Sequence, residues 1–190
     1  LLKRPFDQFP YAALPDGTLL YLEINPKTSR DIWTLSPDGK STPVRVTPFN
    51  EGEARFSPGL AAGAAKGWVA YSSDESGRRE VHVQSYPDGS NRTVVSRDGG
   101  TQPRWSPDGK ELFYVTGEAL VAVAFRPDGS FGPPRRLFDR SPFLLTDYRF
   151  QTFQPSADGQ RFLMIRRDEG FVPRQLNVIL NWSGGGDREP

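Results

Sequence analysis

The sequence predicts an all-β chain built from a repeated four-stranded unit, and three observations carry that expectation. A turn recurs as Leu14-Pro15-Asp16-Gly17, Ser57-Pro58-Gly59, Ser106-Pro107-Asp108-Gly109 and Ser156-Ala157-Asp158-Gly159. A short apolar run follows each: Leu19-Leu20-Tyr21-Leu22, Trp68-Val69-Ala70-Tyr71, Leu112-Phe113-Tyr114-Val115 and Phe162-Leu163-Met164-Ile165. A second turn series is interleaved with the first, at Ser36-Pro37-Asp38-Gly39, Tyr86-Pro87-Asp88-Gly89 and Arg126-Pro127-Asp128-Gly129. No segment of ten residues or more carries a helical period.

Each element has a physical reason. Pro presets φ at the first turn position, Asp bonds nearby backbone N–H groups, and Gly takes the left-handed conformation that closes a hairpin. The apolar runs are too short for helices, and they are continuous where a half-buried strand would alternate. That is the pattern of a strand buried on both faces. The next strand is expected at 31–35, 80–85, 119–125 and 175–182, and a more polar outer strand at 43–47, 92–96 and 135–138. The innermost strand precedes the first turn, near 9–13, 53–56, 102–105 and 150–154. Asp16 to Asp108 spans 92 residues, two units of 46, and Asp108 to Asp158 spans 50. Units of roughly 40–50 residues match the blade of a β-propeller, whose neighbours cover both faces of each inner strand.

The units are expected at about 4–48, 49–97, 98–140 and 141–182, with a loose tail at 183–190. The fourth unit lacks an outer strand of its own, and residues 1–3 stand where the outer strand of a preceding or last unit would be. Either four blades close on themselves, or the chain is part of a larger ring. Known rings run from roughly 4 to 8 blades, so four is the narrow end and the larger ring is favoured. A fragment of a ring could also self-associate to complete it. Opening on Leu1, the chain is expected to be a piece of something longer.

Composition then removes whole classes of function. Counting Gly and leaving out Tyr raises the apolar fraction from 36% to about 43%, which is enough for a globular core. The absence of Cys removes disulfide scaffolds, thiol catalysis and thiolate zinc sites. A single His, His82, removes sites needing two imidazoles. A net charge of +1 gives no general pull towards nucleic acid or an anionic membrane. No apolar run approaches the ~20 residues of a membrane span, and no signal-peptide pattern opens the chain.

The strongest repeat is Gly99-Gly100-Thr101-Gln102-Pro103-Arg104-Trp105-Ser106-Pro107-Asp108-Gly109-Lys110-Glu111-Leu112-Phe113-Tyr114. It resembles the TolB-type, WD-like propeller repeat. The closing Asp158-Gly159-Gln160-Arg161-Phe162-Leu163-Met164 and Leu176-Asn177-Val178-Ile179-Leu180-Asn181-Trp182 are similar to the last blades of a particular group of propellers. Those follow a Ser/Thr kinase domain, or a winged-helix DNA-binding domain, in large bacterial signalling proteins. The resemblance runs from about Leu1 to Trp182. It implies a β-propeller acting as a non-catalytic binding or sensory module, in the periplasm like domains beyond a kinase's membrane anchor; the absence of Cys fits the cytoplasm equally, which stays the alternative. The pattern departs at Ser57-Pro58-Gly59, where the Asp is missing and 60–67 intrude. That insertion is expected to lengthen one turn without disturbing the unit.

Tests for chemistry end in structural readings. Asn181-Trp182-Ser183-Gly184-Gly185 comes near a nucleophile elbow, but its first Gly is replaced by Asn and no His follows. His82 is expected to be a partly exposed strand residue. Asp16, Asp38, Asp88, Asp108, Asp128 and Asp158 share one turn position and read as turn-bonding groups rather than calcium ligands. Asp74-Glu75 reads as a solvated hairpin tip. No catalytic residue, metal or cofactor is expected. Two alternatives stay open: the substrate-gating propeller of a prolyl-oligopeptidase-like hydrolase whose catalytic domain is absent, or a free-standing propeller for glycan or metabolite.

Strand direction places the partner surface. All Asp-Gly turns fall on one face, while the other receives loops 25–30, 49–52, 73–79, 97–101, 139–147 and 167–174, which differ from unit to unit. Blade-specific loops on a rigid scaffold carry specificity, so that face is expected to take a protein or peptide, or a small ligand, and not nucleic acid. The innermost strands should line a central channel, with Glu53, Arg55, Gln102, Arg104 and Arg149 as its candidate wall or mouth residues.

Overall fold

A computed structural model describes residues 4–61, 63–139 and 151–165. Three antiparallel sheets of four strands follow one another, each in simple sequential order. The first comprises β1 (Asp7–Ala13), β2 (Leu19–Asn25), β3 (Ser29–Leu35) and β4 (Ser41–Arg45). The second comprises β5 (Glu51–Phe56), β6 (Gly67–Ser73), β7 (Glu80–Tyr86) and β8 (Arg92–Val94), with a one-turn helix α1 (Pro58–Ala61) between its first two strands. The third comprises β9 (Thr101–Trp105), β10 (Glu111–Val115), β11 (Ala119–Phe125) and β12 (Phe131–Asp139). A fourth sheet is described as the pair β13 (Phe153–Pro155) and β14 (Phe162–Met164). The strand expected at 175–182 and the tail at 183–190 lie outside the described residues.

The Asp-Gly turns behave as their chemistry requires. Asp16, Asp38, Asp88, Asp108, Asp128 and Asp158 each accept a hydrogen bond through Oδ1 from the backbone N–H two residues on. The Gly after each Asp has φ between +65° and +87°, where a side chain is strained. Hydroxyls from Ser36, Ser106 and Ser156 also donate to the Asp of their own turn. Those Ser hydroxyls, and behind them the backbone donors, hold the Asp38, Asp108 and Asp158 carboxyls below the usual range.

The continuous apolar runs are explained by cores on both sides of each inner strand. Val69 and Tyr71 of β6 pack with Leu20, Ile32 and Phe56 against the first sheet. Ala70, between them, points the other way and packs with Leu112 and Tyr114 of β10. Phe113 and Val115, on the opposite face of β10, pack with Phe153 of the fourth sheet. Each large side chain so buried contributes about 1.5–3 kcal/mol, and each of the three clusters is closed only by bringing two sheets together.

Three local features differ from expectation. The outer strand expected at 92–96 ends at Val94, because the Ser96 hydroxyl takes over the ladder by accepting from the Val81 N–H at 2.7 Å. The 60–67 insertion does more than lengthen a turn: Leu60, 1% exposed, plugs into the core between the first two sheets. The third outer strand is longer than expected, running the full length of β12 with two register shifts.

Two turn glycines make the backbone argument testable. Gly39 and Gly129 share φ +87°, but an added Cβ at Gly39 meets nothing within 4 Å whereas one at Gly129 falls 2.3 Å from the Trp68 ring. Gly39→Ala should cost about 1–2 kcal/mol, the price of a left-handed L-residue. Gly129→Ala should lose that and about 1–3 kcal/mol more from overpacking. Urea denaturation of the two variants measures the difference, and equal losses would contradict this account.

Candidate functional site

The first strands of the sheets converge. Arg55 of β5 donates from Nη2 to Gln151 Oε1 at 3.2 Å, linking the second sheet to the segment leading into the fourth and skipping the third. Such a bond requires strands gathered about a common axis. Around that axis runs a chain of hydrogen bonds between equivalent positions. Glu53 donates its backbone N–H to Tyr11 Oη at 3.0 Å. Gln102 donates its backbone N–H to Glu53 Oε2 at 2.8 Å. Thr152 donates both its N–H and its hydroxyl to Gln102 Oε1 at 2.9 Å. Glu53, Gln102 and Thr152 all stand four residues before the Ser that opens the next turn.

Backbone geometry makes this possible. Glu53 and Gln102 are left-handed, at φ +57° and +54°, and bulges interrupt the strand pairing beside them. A bulge in that conformation turns an N–H out of its own ladder. Here it is aimed at the preceding sheet. Glu53 Oε2 also accepts from the Ser72 hydroxyl at 2.8 Å, which fixes the carboxylate between two sheets.

The proposed wall residues therefore divide. Gln102 is 1% exposed, so it joins sheets and presents no free surface to the channel. Glu53 acts likewise through Oε2. Arg55 and Arg104, two residues further along equivalent strands, border a pocket of about 440 Å³ together with Phe56, Trp105, Gln154 and Pro155. Burial lowers both guanidinium pKa values, and for Arg104 the neighbouring Arg55 adds to it, bringing Arg104 down to about 9. Arg149 lies outside the described residues.

The opposite face is built from loops that tie neighbouring sheets together. Arg30 and Asn50 form an isolated parallel bridge, and Ser29 Oγ donates to Asn50 Oδ1 at 2.6 Å. Asn50 in turn donates from its backbone N and from Nδ2 to Asp74, both at 2.8 Å. Glu80, 2% exposed, accepts from Arg78 Nε at 2.5 Å and from the Gly99 N–H at 3.1 Å. Phe49 and Val46, 41% and 38% exposed, stand beside these ties.

With the geometry in place, comparison with solved structures is decisive for the fold. The chain aligns with a protein assigned as TolB from Agrobacterium tumefaciens over 72% of its own length and 51% of that chain, at 20% identity and a TM-score of 0.55. It aligns with TolB from Acinetobacter baumannii over 88% of its length and 39% of that chain, at 15% identity and a TM-score of 0.58. The fold is a TolB-type β-propeller. Its sheets are blades, and the chain spans about half the length, or less, of the propeller proteins it matches. No protein-family model matches the chain, and no curated protein does.

Two expectations about the blade rims need correction. His82 is 1% exposed, not partly exposed. Its ring stacks on Tyr71 at 5.4 Å and 17°, and Arg92 of the blade's own outer strand closes over it. Arg92 can only donate, so His82 Nδ1, 2.9 Å from Arg92 Nη2, must accept, and the ring is the neutral Nε2–H tautomer. Asp74-Glu75 is likewise no solvated tip. Asp74 holds Asn50, and Glu75 binds both Arg92 and, at 2.9 Å, Arg45 of the first blade. No spacing rule in the sequence marks either role, because their partners lie 10–30 residues away.

Two predictions follow from these networks. Tyr11→Phe removes only the oxygen that Glu53 N–H uses and should cost about 1–3 kcal/mol, while Gln102→Ala strands two donors and should cost more. Thermal unfolding compares them, and a neutral Tyr11→Phe would exclude the ring of bonds as a stabilising element. For His82, burial first and Arg45 second lower the folded pKa to about 4, against the opposing effect of Glu80. The unfolded chain then binds the extra proton, so this contribution, about 3 kcal/mol, is complete above pH ~6.5 and is lost as pH falls towards 4. His82→Phe should flatten the stability profile across that window, and an unchanged slope would show that other groups set it.

Proposed function

We propose that this propeller is a non-catalytic binding or sensory module of a bacterial multidomain signalling protein, and that the loop face is where it meets a protein or peptide. The carrying observation is the stiffness of that face. Loops 25–30, 49–52, 73–79 and 97–101 are joined through Asn50, Asp74 and Glu80, so a partner meets a surface already ordered, and little freedom is lost on binding. Phe49 and Val46 supply exposed apolar area beside this polar rim, the composition of an interface centre. The Asp-Gly face, by contrast, repeats the same short turn from blade to blade apart from the 57–67 insertion. An extracytoplasmic position and a parent carrying a kinase or winged-helix domain accompany this reading through the resemblance of the repeats.

Photocrosslinking in the native host tests the assignment of the face. A crosslinker at Phe49 of the full-length gene product should trap a discrete protein, and one at Gly39 on the turn face should not. Phe49→Ala should weaken capture about tenfold, equivalent to about 1.4 kcal/mol. Trapping from Gly39 alone, or from neither position, would overturn the reading.

A further inference from the structure

The pocket on the turn face holds two guanidinium groups whose charge the described residues only partly neutralise. Arg104 is 4% exposed, yet its one hydrogen bond among the described residues runs from Nη1 to the adjacent Pro103 carbonyl at 2.7 Å. Its Nε is buried without a partner among the described residues. Among the described residues Arg55 donates to the Ala54 carbonyl at 2.7 Å and to the Gln151 amide oxygen. Neither forms an ion pair among the described residues. The nearby Glu53 directs Oε2 to Ser72 and Gln102; its buried Oε1 has no hydrogen-bond partner among the described residues, and its charge favours both guanidinium groups without pairing with either, one carboxylate against two cations. Rings flank the two cations: Arg55 lies 5.5 Å from the Tyr11 ring centroid and Arg104 lies 5.9 Å from that of Phe153. Two guanidinium groups of like charge, set in an apolar wall beside about 440 Å³ of space, form an incomplete arrangement. An oxyanion completes it, since a guanidinium fork matches carboxylate and phosphate geometry and the interaction strengthens where water is excluded. The volume lies within the range of small-molecule sites.

We propose that Arg55 and Arg104 form a binding site for the oxyanion of a small acidic ligand, a carboxylate or a phosphate, on the face opposite the partner-binding loops. Arg55, half-buried, is the entry group, and Arg104 is the buried anchor. The site is independent of the loop-face interaction: it uses other residues and the other end of the channel.

Isothermal titration of the 190-residue chain with succinate and with inorganic phosphate, each against sodium chloride at matched ionic strength, tests the site. At least one should bind saturably, and Arg55→Gln should weaken it tenfold or more. Saturation by succinate alone assigns a carboxylate, by phosphate alone a phosphate, and by both an oxyanion site without preference. Arg104→Met should abolish binding while raising the melting temperature of the ligand-free protein by about 2–4 °C, because it replaces a buried cation that forms no ion pair among the described residues with an apolar side chain of similar length. A purely structural Arg104 would give a lowered melting temperature. That result, the absence of saturable heat with either anion, or binding that Arg55→Gln leaves unchanged would overturn the proposal.

Discussion

One bond type organises the molecule: a side-chain oxygen on the first strand of a blade accepts the backbone N–H of the next blade's first strand. It requires Glu53 and Gln102 to adopt a left-handed backbone, a conformation that costs about 1–2 kcal/mol per residue. A buried N–H left without an acceptor would cost about 1–3 kcal/mol more, so strain and bond are sustained together or lost together. The apolar wedges between blades are non-directional and set no angle by themselves. The bond does, because it fixes which residue faces which across each junction. At the same offset in the first blade stands Pro10, which has no N–H to give. The series therefore begins with the Tyr11 hydroxyl as acceptor and runs one way along the chain.

What the sequence discloses depends on how far each cause reaches along the chain. All six Asp-Gly turns were legible because donor and acceptor lie two residues apart. Burial on both faces was legible too, since Trp68-Val69-Ala70-Tyr71 and its counterparts do not alternate. The backbone N–H bonds that link successive first strands join residues 42–50 positions apart, and no local pattern reports them. A trace was present nonetheless. Glu53, Gln102 and Thr152 share one offset from their turns, and polar residues repeated at one offset in an innermost strand ask for a repeated partner. Ser96, Leu60 and Glu75 had no such trace, because each acts once.

The two faces of the disc differ in how their order is produced. On the turn side each Asp-Gly hairpin takes its backbone hydrogen bonds from its own residues, and neighbouring blades meet there only by packing, as Gly129 does on Trp68. On the loop side order is shared: Asn50 couples the first two blades through Ser29 and Asp74, and Glu75 gathers Arg45 and Arg92 from different blades. A perturbation there spreads along the rim. Shared order suits a surface that must present several loops in fixed relation, and it explains why charged residues on that side are more buried than their composition suggested.

His82 and Arg104 carry the argument furthest, because both place an ionisable cation-former inside the fold and only one of them resolves it. With its pKa near 4, His82 is neutral at pH 7, stacks on Tyr71, and accepts from Arg92. Its charge is thereby removed from the interior, although its Nε2–H, like the Arg104 Nε, is buried without a partner among the described residues. Arg104 has no such exit. Even lowered to about 9 its guanidinium remains charged at neutral pH, and the described residues supply it one neighbouring carbonyl, the face of Phe153 and the unpaired charge of Glu53, which it shares with Arg55. Sequences that fold well resolve local conflicts of this kind except where a site needs them. An apolar residue at position 104 would pack in the same wall without that cost, so the charge is better explained by something it binds than by anything it holds together.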